Sequence, residues 1–233
     1  MTVLVQDSLL DDLFDPLPSA AHSDGARQSD AEPGLGGDHD HRLGPLGAAR
    51  RTDLGQGAWI DVLPGWVSSP GELFDALVAE VPWHGEQRRM YERVVEVPRL
   101  LSWYGEDAEL PHPVLTAAKA ALSRHYESEL GEPFVTAGLC LYRDGKDSVA
   151  WHGDTIGRGR THDTMVAIVS LGTPRSLLLR PRGGRLAHRL ALGHGDLVVM
   201  GGSCQRTWEH AIPKTARAVG PRISVQFRTR GVR

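Results

Sequence analysis

The sequence predicts an α+β fold that is mainly β, with N-terminal helices buttressing a β-sandwich or small barrel, and three observations carry that expectation. Amphipathic helical patterns are confined to the stretch before residue 131. From Phe134 onward, short apolar runs alternate with Gly, Pro and Asp turns, the texture of antiparallel strands. The last run, Arg222-Ile223-Ser224-Val225-Gln226-Phe227-Arg228, alternates polar and apolar residues, so four polar side chains leave one face and three apolar ones the other. On a surface edge, water would satisfy that polar face. Inside a protein it needs a partner.

Residues 1–57 read as a flexible tail, because residues 16–57 are rich in Gly, Ala, Asp, Ser and Pro with little periodic apolar signal. Leu9-Leu10-Asp11-Asp12-Leu13-Phe14 is a short amphipathic exception, equally consistent with a docking segment and a frayed helix. Asp38-His39-Asp40-His41 has metal-binding residue types but no rigid frame to hold them. The folded domain is expected over residues 58–233. Trp59-Ile60-Asp61-Val62 reads as a strand, and Ser69-Pro70-Gly71-Glu72 reads as a capping box ahead of Leu73, Phe74, Leu77 and Val78. A second helix is expected over residues 113–130, with Val114, Leu115, Ala118, Leu122 and Tyr126 on one side. Strands follow at residues 137–142, 148–151, 164–171, 176–180, 196–200 and 222–228.

The chain has 233 residues, of which 40% are hydrophobic, enough for one domain with a real core. No run reaches the ~18 apolar residues of a membrane helix, and the first ten residues carry no Lys or Arg, unlike a signal peptide. Cys140 and Cys204 lack metal-type spacing and read as reduced thiols of a cytoplasmic protein, with a structural disulfide as the alternative. The net charge of -3 is unevenly spread. Residues 1–55 hold 10 acidic residues against 4 Arg, and the remainder is mildly basic, which suits a nucleic-acid partner without requiring one. A monomer with no membrane association is expected.

The pattern His, any residue, Asp occurs three times. His22-Ser23-Asp24 sits in the tail. His194-Gly195-Asp196 reads as a turn entering the Leu197-Val198-Val199-Met200 strand. His152 and Asp154 end a strand, and their i, i+2 spacing puts both on one face. His210, in Thr207-Trp208-Glu209-His210-Ala211-Ile212-Pro213, taken alone is as readily a core histidine. With His152 and Asp154 it completes two histidines and one carboxylate, the ligand set of a non-haem Fe(II) site with open positions. Zinc hydrolases use a similar set, but zinc gives no reason for the arginines of the last strand.

On these residues the chain resembles the AlkB group of Fe(II)- and 2-oxoglutarate-dependent dioxygenases. The matching stretches are Pro98-Arg99, Trp103-Tyr104-Gly105, the run from Leu141 to Ser148, His152-Gly153-Asp154, Ser170-Leu171-Gly172, Gly195-Asp196-Leu197, Trp208-Glu209-His210 and the strand from Arg222 to Arg228. Two arginines six positions apart in the last strand are the most specific mark. The resemblance spans roughly residues 58–230 and implies a double-stranded β-helix, or jelly roll, with iron in its mouth. It implies that His152, Asp154 and His210 bind Fe(II), that Arg222 pairs with the distal carboxylate of 2-oxoglutarate, and that Arg228 lies near its metal-bound end. Tyr142 adds a hydroxyl contact, and Ser224 joins the cosubstrate-binding face. Cys140 stands where many members carry Asn, and Ile156 where repair enzymes often carry an acidic residue.

The activity implied is oxidative demethylation of N-alkylated bases of the 1-methyladenine and 3-methylcytosine type. DNA is the expected partner, preferably single-stranded, with RNA as a further one; O2 is consumed, and succinate, CO2 and formaldehyde are released. Trp103 and Tyr104 are candidate stacking surfaces for an extruded base, opposite His152, although lid packing explains them as well. Arg182 is a candidate substrate contact within the run Arg175, Arg180, Arg182, Arg185 and Arg189, which an ordinary solvated hairpin also explains. Two alternatives stay open at this level: an oxygenase of the same chemistry acting on protein or a small metabolite, and a nucleic-acid-binding module with an inactive metal site. The complete ligand triad argues against the second.

Overall fold

The computed structural model describes residues 42–90 and 93–232. The expectations for Leu9 to Phe14, for His22 with Asp24, and for Asp38 to His41 lie outside the described residues. Twelve strands are described, in two antiparallel sheets. They are β1 (Arg50–Gly55), β2 (Ala58–Leu63), β3 (His84–Met90), β4 (Arg93–Tyr104), β5 (Thr136–Tyr142), β6 (Val149–His152), β7 (Val166–Gly172), β8 (Arg175–Pro181), β9 (His188–Leu192), β10 (Asp196–Gly202), β11 (Trp208–Ile212) and β12 (Arg222–Arg228). The large sheet has the order β1-β2-β10-β7-β12-β5-β4-β3 and the small one β6-β11-β8-β9. This is the mainly β jelly roll, with few helices, that the sequence predicts.

Both faces of the large sheet are covered, so β5, β7 and β10 read as nearly unbroken apolar runs, while β12 alone among the central strands alternates. One face packs against α1 (Pro70–Glu80) and α2 (Pro113–Leu130) through Leu139, Val169, Val225 and Phe227 on the sheet and Leu73, Leu77, Leu115 and Leu122 on the helices. The other face meets the small sheet, where Ile168 and Met200 join Val149, Leu177 and Ile212 in a second cluster. Each helix opens with Pro at its first turn, where the missing N–H costs nothing. Gly131, at φ +71°, stops α2 in the left-handed conformation that glycine tolerates.

Two expectations are corrected here. The fold begins before Ala58: Leu46 is buried and Arg50–Gly55 forms an edge strand. β1 is largely exposed, so hydrophobic patterning could not reveal it; its anchor is electrostatic. Arg51 donates from Nε and Nη2 to Asp61 at 2.8 and 2.8 Å and from Nη1 to Glu129 of α2 at 2.7 Å. The capping box at Ser69 also fails. Ser69 adopts φ +50° and makes no side-chain cap bond, while Glu72 pairs with Arg42 at 2.9 Å.

Asp61 is buried on β2, and its Oδ2 also accepts from the Tyr126 hydroxyl at 2.9 Å, tying sheet to helix. Burial raises the Tyr126 pKa, and the Asp61 carboxylate raises it further, so the phenol stays protonated. Tyr126→Phe removes one charge-assisted bond and is expected to cost about 1.5–3 kcal/mol, read as a lower urea midpoint at unchanged slope. An unchanged midpoint would show that the Arg51 fork alone satisfies Asp61.

Candidate active site

The inverted strand sits in the middle of the large sheet, between β7 and β5. Ile223, Val225 and Phe227 enter the helix-side core, so Arg222, Ser224, Gln226 and Arg228 are forced into the space between the sheets, where all four are buried. Register places Tyr142 and Cys140 of β5 and Ser170 and Ile168 of β7 on that same face. The resulting cavity is closed on the other side by His152, Asp154, His210 and apolar residues such as Leu177 and Ile212.

His152 and His210 come together because they are register partners of β6 and β11, with ring centroids 4.2 Å apart. His152 Nδ1 lies 2.9 Å from the carbonyl of Ala150. A carbonyl only accepts, so Nδ1 carries the proton and Nε2 keeps its lone pair. Asp154 stands just beyond β6, its N–H donating to Gln205 Oε1 of the short helix α3 (Cys204–Thr207) at 2.9 Å. Gly153 permits this docking, since a Cβ there would lie 2.4 Å from the Gln205 carbonyl. The sequence spacing thus brings His152 and Asp154 to the same cavity but does not give the reason for the glycine between them.

Electrostatics prepares these three groups as donors to a cation. Burial lowers the pKa of both imidazoles, that of His210 to about 3, so both are neutral at pH 7. Burial opposes ionisation of Asp154, but Arg228 and the two histidines outweigh it and hold the carboxyl at about 2. Among the described residues no three acidic, His or Cys side chains are drawn into a closed metal-ligand cluster. Asp154 Oδ1 instead accepts from Arg228 Nη2 at 3.0 Å. Its Oδ2 is buried with no hydrogen-bond partner, beside two neutral imidazoles. An orphaned carboxylate oxygen in that setting is costly unless a cation meets it, and the donor set fits Fe(II).

The arginines pose the opposite problem. Arg222 is 1% exposed; its Nε donates to Ser170 Oγ at 3.0 Å, and its Nη1 has no partner. Burial lowers its pKa, and the neighbouring Tyr142 works against that shift. The ring of Tyr142, its register partner, lies 5.2 Å from the guanidinium carbon. Arg228 leaves Nε and Nη1 unpartnered. Gly138 makes room for it, because a Cβ there would stand 3.0 Å from Arg228 Nη1. Buried guanidinium donors without partners call for an anion. Sequence reasoning missed Arg99, which is buried, lines the cavity and has an unpartnered Nε.

These features match a known class. The family model described as the 2OG-Fe(II) oxygenase superfamily matches residues 62–228. The chain belongs to this superfamily. Its cofactor is Fe(II), its cosubstrate 2-oxoglutarate and its oxidant O2, and it is a dioxygenase of the AlkB family. The alpha-ketoglutarate-dependent dioxygenase alkB homolog 3 of Bos taurus is 30% identical over 73% of this chain and 65% of the relative. The human protein of the same name is 28% identical over 83% of this chain and 70% of its own length. The DNA oxidative demethylase ALKBH2 of Arabidopsis thaliana is 29% identical over 77% and 69%. The chain therefore spans just under two thirds of the bovine relative and slightly more of the other two. A solved prolyl hydroxylase from Trichoplax adhaerens, in complex with a hypoxia inducible factor peptide fragment, covers 73% of this chain and 83% of its own. Its TM-score is 0.53 at 11% identity, which shows the fold alone.

Not every candidate contact of the oxygenase converges on the cavity. Trp103 and Tyr104 are neighbours on β4 and therefore face opposite sides of the sheet. Trp103 lies over Gly138, 6.0 Å from the Arg228 guanidinium carbon, on the cavity side. Tyr104 packs against the helix-side core, and its role as a base platform is corrected accordingly. The basic run is also largely committed. Arg175 is buried, donating to the carbonyls of Asp144, Asp147 and Pro213. Arg180 pairs with Glu209, its register partner on β11, at 2.8 Å. Arg182 donates to the carbonyls of Arg206 and Gln205, bracing the helix that holds Asp154. His194-Gly195-Asp196 is the expected turn: Asp196 Oδ2 accepts from Gly193 N at 2.6 Å, and Gly195 has φ +89°.

In the metal-free protein, His210 titrates near 3 when folded and near 6.5 when unfolded, so the unfolded chain binds more protons between those values. Stability is therefore expected to fall as pH drops through that window. His210→Gln is expected to flatten this part of the profile, measured by urea denaturation at stepwise pH with chelator present. An equally steep profile in the variant would assign the loss to other groups.

Proposed function

We propose that this oxygenase demethylates N-alkylated bases in nucleic acid, of the 1-methyladenine and 3-methylcytosine type, with single-stranded DNA preferred and RNA as a further substrate. One observation carries the reading: Trp103, on the cavity-side face of β4 and 6.0 Å from the guanidinium carbon of the Arg228 that holds Asp154, offers a flat apolar surface, within a chain whose relatives include a DNA oxidative demethylase. Fe(II) with 2-oxoglutarate and O2 supplies hydroxylation of a C–H bond, leaving succinate and CO2. His152, Asp154 and His210 hold the metal. Arg222 and Tyr142, with Ser224 on the same face, hold the distal carboxylate, and Arg228 fixes Asp154 while facing the other end. Ile168, Leu177, Leu192 and Ile212 line the cavity with apolar surface. A methyl on a base nitrogen becomes a hydroxymethyl group, which collapses to formaldehyde and the free base.

A duplex base must leave its stack to reach this depth, whereas a single strand pays no unpairing cost. Trp103 is the platform assigned here, because its ring is on the cavity side.

Formaldehyde release from oligonucleotides carrying 1-methyladenine or 3-methylcytosine is the direct test. His152→Ala, Asp154→Ala and His210→Ala are each expected to abolish release with the fold retained, and Arg222→Ala to raise the 2-oxoglutarate requirement by ~2 to 4 kcal/mol of lost binding. An unchanged cosubstrate KM removes Arg222 from this role. Trp103→Ala is expected to weaken binding of a methylated single strand by ~1 to 3 kcal/mol while 2-oxoglutarate binding stays the same. No formaldehyde from either base in either strand state moves the assignment to a protein or metabolite substrate.

A further inference from the structure

The chain leaving Asp154 carries Ile156 to the rim of the cavity, where it lines the wall and stays partly exposed. Its place is fixed by the end of the protein. Arg158 N–H donates to the Gly231 carbonyl at 2.9 Å, Gly157 and Val232 form an antiparallel bridge, and Val232 is buried. Gly157 has φ +71°, and a Cβ there would collide with the Gly231 carbonyl; one on Gly159 would collide with the carbonyl of Asp154. The hydroxyls of Thr164 and Thr229, both buried, join the same two segments at 3.0 Å. Ile156 is therefore a fixed part of the wall.

That wall is short of negative charge. Of the residues lining the cavity, Arg99, Arg222 and Arg228 are cations, and Asp154 is the single carboxylate, with one oxygen bonded to Arg228 and the other left for the metal. Glu86 of β3 acts electrostatically on Arg99 but does not line the cavity. Fe(II) and 2-oxoglutarate bring opposite charges of equal size, so loading the site leaves the excess positive. A base resting on Trp103 lies beside Arg228, whose guanidinium carbon is 6.0 Å from the ring centroid.

Methylated bases differ in charge. A methyl on N3 of cytosine or N1 of adenine leaves the base cationic at neutral pH, whereas a methyl on N3 of uracil or N1 of guanine replaces a hydrogen and leaves it neutral. Against this wall a cationic base meets an isoleucine and surplus guanidiniums, with no free carboxylate to pair with, and a desolvated charge so placed is costly. A neutral base avoids that cost.

We propose that Ile156 sets the charge class of the base, so that uncharged N-methylated bases such as 3-methyluracil and 1-methylguanine are bound in preference to 3-methylcytosine and 1-methyladenine. This deepens the demethylase reading and rests on it; the cationic bases remain substrates, held less tightly.

The test compares single strands carrying one 3-methyluracil or one 3-methylcytosine, bases of nearly the same shape, each against its unmethylated counterpart. Binding is read by fluorescence anisotropy on the full chain loaded with Mn(II) and 2-oxoglutarate, so no turnover enters. Wild type is expected to bind the 3-methyluracil strand roughly ten-fold more tightly than the 3-methylcytosine strand. Ile156→Glu places a carboxylate at the rim and is expected to reverse the order, whereas Ile156→Gln, alike in size but uncharged, is expected to keep it. Mn(II) and 2-oxoglutarate affinities are expected to match wild type in both variants. Equal or tighter binding of 3-methylcytosine by wild type overturns the proposal. So does an unchanged order in Ile156→Glu, or a reversal accompanied by altered Mn(II) affinity, which would mark a disturbed metal site. Binding of both methylated strands no tighter than their counterparts overturns the demethylase reading instead. Should Ile156→Glu fail to fold, Ile156→Asp decides on the same criteria.

Discussion

The burial of β12 on both faces is the constraint around which this molecule is arranged. A central strand with an apolar outer face toward the helices has nowhere to put Arg222, Ser224, Gln226 and Arg228 except between the sheets. Water would satisfy those groups at an edge, but β7 and β5 flank the strand. The polar atoms must find partners inside, and several on the two arginines do not. Proteins tolerate such a debt where a ligand settles it. The rest of the large sheet, sealed by α1 and α2, supplies the stability that allows it.

The second sheet turns that pocket into a site. Antiparallel pairing of β6 with β11 aligns His152 with His210, two residues 58 positions apart in sequence, and the chain leaving β6 delivers Asp154 to the Arg228 side. Asp154 is held from two directions: its backbone by Gln205 and its side chain by Arg228. α3, which supplies Gln205, is braced in turn by Arg182, which donates to the carbonyls of Arg206 and Gln205 and pairs with Glu209. A residue that reads in sequence as a phosphate contact thereby acts on the position of α3.

What the sequence discloses and what it hides follow from the kind of force involved. Periodicity reveals β12, α2 and the strands that carry His152 and His210, because burial imposes it. β1 is invisible to that criterion, since Arg51 reaches Asp61 and Glu129 by charge rather than by apolar contact. β3 and β4 escape as well, and with them the alternation that sends Trp103 inward and Tyr104 outward. Arg180 looks unpaired along the chain only because its acid, Glu209, arrives from the neighbouring strand. Gly138 and Gly153 carry no chemistry of their own. Their absent side chains are legible only when Arg228 and Gln205 are seen occupying the space.

The charges lining the cavity also bear on what it can hold. Arg99, Arg222 and Arg228 face it against a single carboxylate, Asp154. The Asp154–Arg228 pair at 3.0 Å accounts for one of those cations. All three guanidiniums nevertheless keep unpartnered donors, Arg99 Nε, Arg222 Nη1 and Arg228 Nε and Nη1, and in a buried cavity each costs far more than it would in water. A dicarboxylate offers acceptors to guanidiniums at both ends of the cavity, which a monocarboxylate does not. The metal answers a different deficit, the partnerless oxygen of Asp154 beside two neutral imidazoles. Because Arg228 holds Asp154 by the other oxygen, a cation at Oδ2 and an anion at the free Arg228 donors would be linked through one ion pair. The ion pair that orients the carboxylate is therefore also part of the wall of the cavity.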